Sequence, residues 1–128
     1  MTDFTPMEHA AIAAIVAEAV RHGEGLEQQI SASQVLSRKN TGGGFFTALD
    51  VSATPDALGQ KTESLGQNIY IGVDGLEYGL GMILHFKDGK ASLLEGYSVG
   101  GEDTSAIDFA HVRYALISKP GPLPTKVR

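Results

Sequence analysis

The stretch Met82–Tyr97, MILHFKDGKASLLEGY, decides the fold of this chain. Apolar and polar residues alternate on both sides of Asp88-Gly89. This dipeptide favours a two-residue turn, because both central residues of such a turn take φ > 0. The stretch therefore predicts a β-hairpin, and with it an antiparallel sheet.

Closing the hairpin at Asp88-Gly89 fixes which side chains share a face of the sheet, since directly paired residues point to the same side. The predicted pairs are Lys87 with Lys90, Phe86 with Ala91, Leu84 with Leu93, and Met82 with Glu95. One face then carries Met82, Leu84, Phe86, Ala91, Leu93, Glu95 and Tyr97, and the other carries Ile83, His85, Lys87, Lys90, Ser92 and Leu94. The first is the core face, so this register points Glu95 into an apolar surface and His85 away from it.

A second register is the alternative. A three-residue loop with a glycine bulge shifts the pairing by one residue. That shift would put Lys90 and Ser92 beside Leu84 and Phe86, so the first register is preferred. In the shifted register, His85 and Glu95 would share a face.

A carboxylate in the core row needs an explanation, because a buried, unpaired one costs several kcal/mol or is held protonated. Glu95 could lie where the face opens to solvent, with Tyr97 at the rim. It could have an internal partner such as Arg38, or it could line a cavity and bind a ligand. The candidate binding residues are therefore Glu95, Tyr97, Arg38 and His85. No catalytic residue is assigned.

The N-terminal segment predicts a helix from Pro6 to His22. Thr5 and Glu8 form a capping box, and Pro6 suits the first helical position. Ile12, Ile15, Val16, Ala19 and Val20 make one apolar stripe.

The remaining elements are shorter. Residues 24–33 allow a second helix, and the predicted strands are 34–39, 45–51, 68–73 and 111–118, with Phe45, Thr47, Leu49 and Val51 facing inwards. Residues 52–67 are interpreted as a surface loop. We expect a single α+β domain over residues 1–118, in which the N-terminal helix packs on a curved, mostly antiparallel sheet of about five or six strands. Residues 119–128 form an extended, mobile tail.

Composition narrows the functional classes. The 128 residues contain no cysteine, and the four histidines are not spaced as metal ligands, so neither a metal nor a cofactor is expected. A net charge of −5 argues against nucleic acid and suits a basic partner protein. No signal peptide or membrane span is recognisable, which favours a cytoplasmic location. A homodimer through a strand edge, or through Ile83 and Leu94, is a further expectation.

Three weaker motifs are interpreted as structural. Gly42-Gly43-Gly44 lacks the spacing of a phosphate loop and predicts a turn. Ser98 fits G-x-S-x-G but follows a hairpin strand rather than the strand of a parallel sheet. Asp108 and His111 are three residues apart, a spacing that would bring them together on a helix but not on a strand.

Two segments together resemble a family. SRKNTGGGFFT at 37–47 is similar to an S-R-x-x-T-G-x-G-F-F-T pattern, and residues 88–97 are similar to D-G-x-x-x-x-L-E-G-Y. Both occur, in this order after an N-terminal helix, in small bacterial proteins of no assigned function. The resemblance covers roughly residues 26–51 and 80–101, and Gly43 departs from it where a larger residue is usual. It implies a bacterial origin and carries no activity or site residue.

The sequence leaves three functional hypotheses. The first is a non-enzymatic interaction protein, since size and acidity resemble immunity proteins that neutralise toxins. The second is a small-molecule binding protein with a helix–sheet pocket near Glu95 and Tyr97. The third is a small hydrolase or isomerase using Glu95 with His85 or His111.

Overall fold

The computed structural model describes residues 4–19, 23–50 and 64–124. These residues form α1 (Pro6–Glu18), α2 (Gly23–Ala32), β1 (Gln34–Asn40), β2 (Gly44–Asp50), β3 (Ser64–Val73), β4 (Leu80–Lys87), β5 (Lys90–Ser98) and β6 (Tyr114–Ile117). All pairs in the sheet are antiparallel, in the order β1-β2-β5-β4-β3-β6. The predicted α+β fold, a helix on an antiparallel sheet, is confirmed. Neither helix within these ranges has the length and apolar character needed to cross a membrane.

Helix α1 begins as its sequence predicts and ends earlier. Thr5 caps it, and the reciprocal capping box with Glu8 is present. The helix stops at Glu18, and Ala19 leaves the helical region at φ −89° and ψ 57°. The predicted end at His22 was therefore wrong, although residues 20–22 lie outside the described ranges.

Both helices pack on one side of the sheet, which we call the helix face. The other side is the outer face. The core between helices and sheet includes Met7, Ala11, Ile12, Ile15, Leu26, Phe45, Leu49, Ile71, Met82, Leu84 and Leu94. The Gln29 side chain fastens α2 to the hairpin turn, because it donates to the Gly89 carbonyl at 2.6 Å and accepts from the Ala91 N–H at 2.8 Å.

The hairpin turn has the predicted form. Asp88 and Gly89 both take positive φ, 53° and 81°, and Lys87 pairs with Lys90 as expected. The pairing then departs from regular alternation, because a bulge leaves Ser92 without a partner residue. Beyond it, Leu84 faces Leu94 rather than Leu93.

This bulge overturns the preferred register. Glu95 pairs with Ile83 instead of Met82, so it lies on the outer face together with His85. Leu94 takes the core position and is fully buried, which also removes it from the expected dimer surface. The physical reason is that regular pairing would have buried the Glu95 carboxylate, whereas the bulge puts Leu94 in the core position and turns Glu95 outwards.

Three boundaries also differ from the sequence expectation. Strand β3 already begins at Ser64, where a loop was predicted to continue to Gln67, while residues 52–63 of that loop and the predicted strand end at residue 51 lie outside the described ranges. The last strand is only Tyr114–Ile117. Of the expected tail, residues 121–123 pack against the sheet, since the Gly121 N–H donates to the Tyr78 carbonyl and Leu123 lies over Gly72.

Candidate functional site

Three of the four predicted site residues meet on the outer face. His85 on β4 and Glu95 on β5 are brought together by the bulge, with Nε2 and Oε1 2.8 Å apart. Their side chains are 36% and 28% exposed. Tyr97 follows two residues along β5 and therefore points to the same face.

Tyr97 leans across β4 towards β3. A Cβ built on Gly81 would lie 2.2 Å from the Tyr97 ring, so the ring rests directly on the Gly81 backbone. On the far side of Gly81, the paired residue is Tyr70. Burial raises the pKa of Tyr97, and the nearby Tyr70 and Glu95 raise it further. The outer face thus holds two phenols and a carboxylate in one electrostatic neighbourhood.

The fourth predicted residue, Arg38, lies on the helix face with a different carboxylate. Its Nε and Nη2 atoms donate to Oε2 and Oε1 of Glu8 at 3.0 and 2.9 Å. Glu8 Oε2 also accepts from the Thr47 hydroxyl at 2.5 Å, and Oε1 accepts from the Thr5 N–H at 2.9 Å. One glutamate therefore joins the start of α1 to strands β1 and β2.

Glu8 is a buried carboxylate, with a side chain only 3% exposed. Burial raises its pKa, but the hydrogen bonds from Arg38, Thr47 and Thr5 outweigh burial, so the net pKa lies below the ordinary value. Each oxygen already accepts two hydrogen bonds. This saturation makes Glu8 a structural clamp rather than a group that can bind a ligand. The sequence showed its capping role but not its contacts with β1 and β2.

The first of the two family-like segments, residues 37–47, contacts a loop that docks against it. Asn40 Nδ2 donates to the carbonyls of Thr104 and Ile107 at 2.8 and 3.1 Å. The Thr104 hydroxyl, fully buried, donates to Asn40 Oδ1 and accepts from the Gly44 N–H. These bonds hold residues 104–107 against the β1–β2 turn.

The second segment, L-E-G-Y at 94–97, interlocks with the first. Gly96 has no side chain, which lets the Phe45 ring pass within 2.4 Å of where a Cβ would lie. Phe45 in turn packs on Phe109, with ring centroids 5.0 Å apart. Much of the motif therefore maintains packing, while Glu95 and Tyr97 remain on the outer face.

A helix–sheet pocket does exist, although it is not the predicted one. It has a volume of about 230 Å³ and lies beside the start of α1, lined by residues that include Met7, Glu8, Arg38, Phe45, Ile107 and Phe109. Glu95 and Tyr97 lie on the opposite face of the sheet and cannot line it. The expectation of a helix–sheet pocket formed by those two residues was wrong.

A separate feature was not foreseen from the sequence. The loops 74–79 and 99–113 meet at one end of the sheet, which we call the acidic end. Five carboxylates and one arginine (Asp74, Glu77, Glu102, Asp103, Asp108 and Arg113) give these loops a formal charge of −4, against −5 for the whole chain. The acidic residues are visible in the sequence, but only the structure shows that the two loops adjoin.

The acidic end presents an aromatic side chain. Tyr78 is 50% exposed and Val99 36% exposed. Both oxygens of Glu102 accept backbone N–H groups, from Glu77 at 2.8 Å and from Tyr78 at 3.0 Å. Ser98 Oγ accepts the Glu102 N–H at 2.7 Å, which is a structural contact and not the arrangement of a nucleophile. Glu102 therefore fixes the turn that carries Tyr78.

Two carboxylates of the acidic end have lowered pKa values. A backbone hydrogen bond from Ser105 lowers the pKa of Asp103, and a side-chain bond from His111 lowers that of Asp108. The His111 and Asp108 side chains, 83% and 69% exposed, are 2.8 Å apart across a turn. These carboxylates stay ionised at neutral pH. Among the described residues, no group of three or more potential ligands is placed to hold a metal.

Comparison with family models, with curated proteins and with solved structures found no match. Function is therefore inferred from the chain's own residues.

Proposed function

We propose that this chain is a non-enzymatic binding protein that engages a basic partner protein through its acidic end, as an immunity protein engages the toxin that it inhibits. The observation that carries the proposal is the concentration of charge. Loops 74–79 and 99–113 account for −4 of the chain's net −5. The lack of cysteine in the sequence fits a cytoplasmic location for such a protein.

Charge alone would support only weak, salt-sensitive attraction. Tyr78 adds an anchor of the kind that concentrates binding energy in interfaces, because a half-exposed tyrosine contributes apolar area and one hydroxyl. The Glu102 carboxylate holds the backbone beneath it, so little conformational freedom is lost when a partner covers the ring. An exposed aromatic residue carried by acidic loops suits a basic protein surface with a matching depression.

The test is a comparison of immobilised wild type with two charge variants in extracts of the native host. The first carries Asp74→Asn, Glu77→Gln and Asp103→Asn at the acidic end. The second carries Glu18→Gln, Glu27→Gln and Asp88→Asn, which removes the same charge from other exposed positions. We expect a basic protein to be retained by the wild type and by the second variant, and to be lost by the first.

Purified partner then permits a quantitative measurement by calorimetry. We expect the first variant to bind at least about tenfold more weakly, Tyr78→Ala to cost about 2 kcal/mol, and the affinity to fall between about 50 and about 300 mM salt. Equal loss in both charge variants, or retention of the same abundant proteins by all three, would contradict the proposal.

One observation supports a second candidate, a small hydrolase or isomerase. His85 and Glu95 are within hydrogen-bond distance, as a general base and its orienting carboxylate must be. The adjacent Ser92 hydroxyl donates to the His85 carbonyl and is not directed at the imidazole as a nucleophile would be. Hydrolysis of p-nitrophenyl acetate separates the candidates: a rate that falls at least about a hundredfold in His85→Gln would favour the enzyme, and an unchanged rate would exclude the dyad.

A further inference from the structure

We propose that Glu95, Tyr97 and Tyr70 form a site on the outer face that binds the guanidinium group of an arginine presented by another protein. The inference rests on the proposed function in one respect, since the basic partner would supply that arginine. It concerns a surface other than the acidic end, and the site can be tested without the partner.

The carboxylate is the first part of the site. Glu95 Oε1 lies 2.8 Å from His85 Nε2, whereas no hydrogen bond from the described part of the chain reaches Oε2. With 28% of its side chain exposed, Glu95 can accept a further donor from solvent or from a ligand. This is the opposite of Glu8, whose oxygens are saturated.

The surroundings of Glu95 strengthen an ion pair made there. Its neighbours across the sheet are Ile83 on β4 and Phe46 on β2, and Phe46 is 38% exposed. A charge pair flanked by apolar side chains is less screened than one in open water. The apolar flanks also suit the methylene stem that carries a guanidinium group.

The two phenol rings are the second part. Gly81 pairs with Tyr97 on one side and with Tyr70 on the other, so both rings stand on the outer face beside a position without a side chain. The Tyr97 ring lies over the Gly81 backbone. Aromatic faces attract cations through their quadrupole. The raised pKa of Tyr97, due first to burial and then to Tyr70 and Glu95, shows that further negative charge is disfavoured there.

A guanidinium group fits this arrangement better than an ammonium group. It is planar and can stack on a ring while donating N–H groups in its own plane to a carboxylate. An ammonium group is compact and more strongly hydrated, so it gains less from the ring faces. The ligand that we propose for this site is therefore an arginine side chain.

The experiment is an NMR titration of the full chain with N-butylguanidinium at about 150 mM salt, followed on the ring resonances of Tyr97 and Tyr70. N-Butylurea, of the same shape without the charge, is the neutral control, and N-butylammonium is the competing cation. We expect saturable shifts with the guanidinium, no saturable shift with the urea, and weaker binding of the ammonium.

Variants locate the site. Glu95→Gln should weaken guanidinium binding at least about tenfold, and Tyr97→Leu about threefold to tenfold. Tyr97→Phe should retain binding because the ring face remains. Glu27→Gln, an exposed carboxylate on α2, is the matched control and should leave the affinity unchanged. The amide spectrum of each variant verifies its fold, and the wild-type comparison of charged and neutral probes needs no variant.

Several outcomes would overturn the inference: equal shifts with the urea, an unaltered affinity in Glu95→Gln, or equal weakening in Glu27→Gln. Equal or tighter binding of the ammonium would contradict the choice of arginine. If the guanidinium fails to bind while the acidic-end variant still loses a basic partner, only this inference is wrong. If the guanidinium binds as expected and no basic partner is found, the proposed function is wrong and the site stands.

Discussion

Glu8 and Glu95 are two glutamates of one small domain with opposite surroundings. Glu8 lies on the helix face, 3% exposed, and its two oxygens accept four hydrogen bonds. Glu95 lies on the outer face, 28% exposed, with one oxygen near His85. A carboxylate whose acceptor sites are filled maintains the fold, whereas a carboxylate with an open site can bind something else.

The same contrast extends to the aromatic residues of the two faces. Phe45 is almost fully buried and packed against Phe109. Tyr97 is only partly buried and rests on Gly81. The difference predicts that equivalent changes on the two faces will have unequal effects on stability.

The largest difference is expected between Glu8→Ala and Glu95→Ala. Removing Glu8 takes its carboxylate away from Arg38 and Thr47, which should reduce the free energy of unfolding by about 3 kcal/mol. This is the low end for a buried pair, because the Arg38 side chain is 40% exposed. Removing Glu95 should cost less than about 1 kcal/mol, as for other surface pairs. Urea denaturation measures both, and similar losses would show that the contrast is wrong.

A smaller difference is expected between two added methyl groups. In Gly96→Ala the new Cβ would lie 2.4 Å from the buried Phe45 ring, which should cost about 2 kcal/mol. In Gly81→Ala it meets the Tyr97 ring at 2.2 Å, but that ring can swing towards solvent, so about 1 kcal/mol or less is expected. Thermal unfolding of the two variants measures both losses of stability. A larger loss in Gly81→Ala would mean that the outer face is packed as tightly as the helix face.

The smallest effect is a pH dependence that Glu8 should contribute. Its pKa in the folded chain lies below the ordinary 4.5 because the bonds from Arg38, Thr47 and Thr5 outweigh burial. A lowered folded pKa gives stability that is complete at neutral pH and is lost as pH falls from about 5 through the folded value. Asp103 and Asp108 contribute with the same sign. Unfolding curves of wild type and Glu8→Gln should therefore converge towards low pH; a constant gap would contradict the assignment.

The local features of the fold could be predicted from the sequence, because each is specified by adjacent residues. Thr5 and Glu8 specify the start of α1, and Asp88-Gly89 specifies the hairpin turn. The role of Glu8 as a clamp could not be predicted, since Arg38 is 30 positions away and its approach depends on how α1 docks. The contact between the two acidic loops could not be predicted either, because residues 74–79 and 99–113 are distant in the sequence.

The predicted register of the hairpin was wrong for a more specific reason. Leu93 and Leu94 are adjacent and identical, so either can serve as the core residue and local pattern cannot choose between them. The cost of burying Glu95 was the only signal in favour of a bulge. Weighing that cost against regular alternation would have favoured the outward position that the structure shows, and with it the contact between His85 and Glu95.

The central claim is that the bulge at Ser92 turns Glu95 outwards, the orientation that the proposed guanidinium site requires. Cross-strand nuclear Overhauser effects between backbone protons of β4 and β5 test this claim most directly. We expect contacts that pair Ile83 with Glu95 and Leu84 with Leu94. Contacts that pair Met82 with Glu95 and Leu84 with Leu93 would place the carboxylate on the helix face and contradict the account.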